Sequence, residues 1–116
     1  MHCEFSNSEK KIARQVIETA LQRDLEACLM DLDRLIHEWK SHKMDNRQAY
    51  QETYRKVQEN DQYIARMYDD IRGSKYMLII QGLLSNKVLS EADLGGFSEK
   101  TRNEILQIMN LLGNDK

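Results

Sequence analysis

Leu21–Trp39 reads LQRDLEACLMDLDRLIHEW, and its apolar residues fall at Leu21, Leu25, Cys28, Leu32, Leu35 and Trp39. The steps alternate between four and three. That is a heptad seam, the pattern of a helix that buries one stripe against another long helix. The same helical spacing extends back to a start at Ser6–Ser8. There Ser6 and Glu9 form an S-x-x-E capping box. No proline occurs anywhere in the chain, so nothing breaks a first helix running from the serines to Trp39 or Lys40. At 1.5 Å per residue it would be about 50 Å long.

Downstream, Ser41–Asp45 reads as a turn, with Asp45 as N-cap of a second helix extending to about Arg72. Its stripe is Tyr50, Tyr54, Val57, Asp61, Ile64, Tyr68 and Ile71, interrupted by Asp61 alone. The two seams are expected to face each other as an antiparallel hairpin. Ile17, Leu29, Ile36, Tyr63 and Met67 widen the apolar face beyond what one hairpin covers. The expectation is therefore a homodimer in a four-helix arrangement, with Tyr50, Tyr54, Val57 and Ile64 at the interface.

Gly73-Ser74 ends the second helix. The segment Lys75–Leu84 is almost continuously apolar and reads as a short buried helix. A brief helical piece spans Ser90–Leu94, Gly95-Gly96 makes a turn, and Ser98 caps a last helix carrying Ile105, Ile108, Met109 and Leu112. The expected fold is all-α. A single domain over 1–116 divides into a hairpin stem, 6–72, and a small helical head, 73–116.

Composition narrows function mainly by exclusion. The 116 residues are 31% charged and 41% hydrophobic, with a net charge of −2 and no long run of one sign. Such a balance predicts neither a nucleic-acid nor a membrane footprint. Cys3 and Cys28 are far apart, and Cys28 sits within the apolar stripe as a small hydrophobe, so a reducing cytoplasm is expected rather than a disulfide framework. The first residues show no basic-then-apolar secretory pattern, and the longest apolar run, Tyr76–Ile80, is too short to span a bilayer.

Chemistry-bearing motifs are scarce. His37 and His42 do not share a helix face, and no Glu-x-x-His pair exists to hold a di-metal centre. Neither a Gly-x-Ser-x-Gly elbow nor a phosphate loop occurs. No enzyme activity, metal or cofactor is expected. Ala92 and Gly96 have the spacing of a helix-turn-helix turn, the alternative reading as a small DNA-binding regulator. Arg102 stands where that motif needs an apolar anchor, and Ser85–Lys116 is slightly acidic where phosphate contact needs the reverse.

Two stretches resemble the fluorescence recovery protein family of cyanobacteria. One is Ser6-x-x-Glu9-x-x-Ile12-Ala13, then Ala20 and Arg23-Asp24-Leu25-Glu26-Ala27-Cys28-Leu29. The other is Asp70-x-Arg72-x-Ser74, followed by Leu83-Leu84, Leu89, Leu94-x-Gly96-Phe97 and Ile105. The resemblance implies a dimer of helical hairpins with small heads. It also implies a photoprotective role: binding the light-activated orange carotenoid protein, speeding its return to the resting form and freeing it from the phycobilisome. Asp70, Arg72, Leu78 and Phe97 are then the expected partner contacts of the head. The chain departs from the family at three places. Residues 46–67 lack its Trp-x-x-His-Asp cluster, whose spacing recurs at Trp39 and His42 with Lys43 in place of the acid. Lys87-Val88 stands where the family has Gly-Trp. A divergent relative with another partner fits the same residues.

Overall fold

The computed structural model describes residues 5–69 and 71–113, excluding the side chains of 74 and 108–113. Asp70 and the side chains of Ile108, Met109 and Leu112 therefore lie outside the described residues. The protein is all-helical, with no strand among the described residues. Its elements are α1 (Asn7–Lys40), α2 (Asn46–Tyr68), a 3₁₀ turn (Gly73–Lys75), α3 (Tyr76–Ser85), a second 3₁₀ turn (Glu91–Leu94) and α4 (Glu99–Gly113). They form two compact units, one of residues 1–20 and 70–116, the other of residues 21–69. The first turns of α1 thus belong with the C-terminal segment, and the remainder of α1 belongs with α2.

In the second unit α1 and α2 run antiparallel. Trp39 Nε1 donates to Asn46 Oδ1 at 2.8 Å, Lys56 pairs with Asp31 at 3.7 Å, and Tyr63 reaches Asp24 at 3.2 Å, so the partners climb one helix as they descend the other. Asp45 caps α2 as expected, its carboxylate accepting from the Gln48 N–H at 2.7 Å. The turn closes with His42 at φ 63° and with N–H groups of His42 and Lys43 returning to Trp39 and Glu38.

Two features of α2 differ from expectation. It ends at Tyr68 rather than near Arg72, and Asp69 and Arg72 have extended backbones. Asp69 and Asp70 would have placed consecutive acids at the negative end of the helix dipole, and Asp is a weak helix former. The facing of α2 also differs. The row toward α1 is Asn46, Ala49, Thr53, Lys56, Asn60 and Tyr63, buried or half-buried apart from Asn46, which bonds Trp39. This row has heptad spacing too, but it is largely polar. The predicted stripe of Tyr50, Tyr54 and Val57 lies exposed beside it.

The first unit holds the apolar core. Ile80, Leu83, Leu94 and Ile105 are fully buried, with Ala13, Ile17 and Ala20 of α1 also inside. Burying each large side chain contributes about 1.5–3 kcal/mol. Phe5 stacks on Phe97 with ring centroids 5.1 Å apart. Gly96 allows α1 to approach its turn, because a Cβ there would meet Ile12 Cγ2 at 3.1 Å. Ser90 and Asp93 form a reciprocal capping box around the second 3₁₀ turn. That segment is one 3₁₀ turn rather than the first α-helix that the helix-turn-helix alternative would need.

Candidate protein-interaction face

The second unit buries very little of itself. Among its described residues only Asp24, Ala49 and Tyr68 are buried. Large apolar side chains stand in water instead: Leu29 is 65% exposed, Tyr50 78% and Tyr54 61%, and Leu25, Ile36 and Val57 are exposed as well.

These residues fall into two parallel rows. On α1, Leu25, Leu29, Leu32, Ile36 and Trp39 repeat every four and three residues; on α2, Tyr50, Tyr54 and Val57 do the same. Ile36, Trp39 and Tyr50 also line one groove, of about 230 Å³, with Ala49, Asn46 and Thr53. The α1 and α2 rows therefore meet on the same side of the hairpin. Exposed apolar surface of this extent, continuous over two helices, marks a contact surface rather than ordinary scatter. Of the four residues predicted for an interface, Tyr50, Tyr54 and Val57 are exposed here and Ile64 is half-buried.

The inner side of the hairpin is polar. The buried Asp24 carboxylate accepts from the Tyr68 hydroxyl at 2.6 Å and from the Tyr63 hydroxyl at 3.2 Å. Burial, followed by the bond to Asp24, pushes the Tyr68 phenol far above its ordinary value. Cys28 is half-buried, and burial together with the Asp24 and Asp31 carboxylates pushes its thiol up. That environment keeps the sulfur protonated and unreactive. No group of three or more metal-ligating side chains occurs among the described residues. No helix among them is long and apolar enough to cross a membrane.

The predicted head contacts separate. Arg72 is exposed in the extended link after α2. Leu78 is 63% exposed on α3, although Tyr76, Met77, Ile79 and Ile80 around it are buried. Phe97 is only 4% exposed and its ring stacks on Phe5, so it acts as a core residue rather than an accessible contact. Asp70 lies outside the described residues.

One functional arrangement had no sequence signal. Glu9, read as the capping-box partner of Ser6, also receives the Ser98 N–H and hydroxyl, each at 3.3 Å, and the Thr101 hydroxyl at 2.9 Å. It joins the start of α1 to the start of α4 across 89 positions of sequence. The Thr101 bond is the largest cause of a lowered Glu9 carboxyl pKa, with the Ser98 and Ser6 bonds adding to it against a burial penalty.

No protein-family model, curated protein or solved structure matches this chain.

Proposed function

We propose that this protein is a non-enzymatic regulator that acts by protein–protein contact and pairs with a second copy of itself through the apolar face of its hairpin. The observation that supports this is the exposure of Leu29, Tyr50 and Tyr54 on a unit with almost no core of its own. A second copy is the simplest cover. Two antiparallel helix pairs, laid face to face about a two-fold axis, place like rows together and make a four-helix arrangement.

The family resemblance adds a partner. In this reading the dimer contacts an orange-carotenoid-type photoprotein through its heads and favours the partner's resting state. Because a binding protein shifts an equilibrium only by its differential affinity, the resting form or a state on the way to it must be held more tightly than the activated form. Arg72 and Leu78 are the exposed candidates for that contact. Lys87 lends support, since it stands where the family carries glycine and holds φ 63°, the left-handed conformation that glycine favours. The action is placed in the cytoplasm.

Light scattering at micromolar concentration tests the first part, and the expected mass is twice that of one chain. A monomer mass would remove the dimer reading. Mixing with photoactivated orange carotenoid protein tests the second part, with faster dark recovery expected. An unchanged recovery rate would remove the recovery role and leave the dimer intact.

A further inference from the structure

The first unit carries a basic hollow that the dimer reading does not use. Lys10, Lys11 and Arg14 occupy one turn of α1 and line a concave site of about 510 Å³ with Gln15, Gly73 and Tyr76. No carboxylate lines it among the described residues. Tyr76 is buried, yet its phenol oxygen reaches the site and accepts from Arg14 Nε at 3.1 Å. That bond orients the guanidinium and leaves its terminal nitrogens for another acceptor. The phenolic proton is donated to no described residue. Gly73 keeps the wall open, since a Cβ there would lie 3.4 Å from Lys10 Cε and Nζ.

We propose that this hollow binds an acidic segment of a partner protein, seating one Asp or Glu carboxylate between the Arg14 guanidinium and the Tyr76 hydroxyl. Lys10 and Lys11 then neutralise neighbouring acids of the same segment. The planar fork of arginine matches a carboxylate, and a charge-assisted bond beside a buried hydroxyl is stronger than one in open water. The occupant is peptide rather than nucleic acid. The cations are confined to a single helical turn instead of tracking a phosphate backbone, and Glu9 and Glu18 flank them on the same helix. The site does not depend on dimerisation or on the identity of any photoprotein.

The test uses the full chain at low salt and a fluorescein-labelled hexaglutamate peptide. Anisotropy should show saturable binding that weakens as salt rises. The Gly73 amide should shift on titration in nitrogen–proton correlation spectra. Lys10→Gln with Arg14→Gln should weaken binding at least tenfold, whereas Lys87→Gln with Lys100→Gln should change it less than twofold. Gly73→Glu places an intramolecular carboxylate beside Lys10. No described glycine has positive φ, so this side chain fits the backbone and should block the peptide while helicity stays unchanged. Should the Lys10/Arg14 double variant lose helicity, Gly73→Glu decides. An unmoved Gly73 amide, equal losses in the two double variants, undiminished binding by Gly73→Glu, or tighter binding of a labelled six-nucleotide single strand would each overturn the proposal.

Discussion

The Tyr68 hydroxyl donates to Asp24 Oδ2 over 2.6 Å, tying the end of α2 to α1 across 44 positions of sequence. A buried carboxylate is tolerable only when donors satisfy it, and here Tyr63 supplies the second. Asp24→Ala leaves two phenols without their acceptor and should cost about 1–3 kcal/mol in urea unfolding at neutral pH. The phenol pKa of Tyr68 is raised in the folded state. Its contribution is therefore complete below pH 10, the ordinary tyrosine value, and is lost as pH rises above it. Alkaline titration of stability should show that loss in the native chain and a shallower one in Tyr68→Phe. Identical alkaline limbs would contradict the linkage.

Glu9 behaves in the opposite sense. Its carboxyl pKa is lowered by Thr101, Ser98 and Ser6, so its contribution is present above the ordinary value of 4.5 and fades as pH falls through the lowered one. The site is open to water, which holds the expected cost of Glu9→Ala to about 1 kcal/mol at pH 7. The difference between the two chains should shrink on acidification below pH 4.5. Parallel stability curves down to pH 3 would show that Glu9 acts through packing alone.

The hairpin face gives a prediction about assembly. Leu29→Glu or Tyr54→Glu places a charge in the proposed dimer seam at a position that is exposed in the single chain. Either should shift the scattering mass to that of a monomer with helical content retained. A dimer that survives both substitutions would locate self-association elsewhere.

Phe97 and Leu78 should separate core from contact. Phe97→Ala removes a ring stacked on Phe5 and should cost about 3–5 kcal/mol, read as a fall in the unfolding midpoint. Leu78→Ser removes an exposed side chain and should change stability by less than about 0.5 kcal/mol. If Leu78 belongs to a partner surface, its loss will register in partner binding and not in unfolding.

Lys87 closes α3 at φ 63°, with the N–H groups of Lys87 and Val88 returning to Leu84 and Leu83. A side chain in this left-handed conformation is strained by about 1–2 kcal/mol. Lys87→Gly should stabilise the chain by about 0.5–1 kcal/mol after its greater unfolded-state freedom is allowed for. Thermal unfolding would measure this as a rise in midpoint. Lys87→Val should lower the midpoint.

Helix extents and caps could be read from local sequence. Asp45, Ser90 and Ser98 cap where their side chains reach the next free N–H groups, and α1 runs unbroken because no proline interrupts it. Those features depend on bonds three or four residues apart, which local order alone sets. Which row of α2 turns inward did not follow from that order, because two rows share the heptad period. The inner row is decided by the Trp39–Asn46, Asp31–Lys56 and Asp24–Tyr63 pairs, which bring polar groups together between the helices and leave Tyr50 and Tyr54 outside. Phe97 and Glu9 were likewise placed by residues 92 and 89 positions away, Phe5 and Ser98. The sequence alone therefore determined that the chain is helical and where its helices start. Only the tertiary structure decided which side chains meet, because that depends on competition between distant polar and apolar partners for the same helix face.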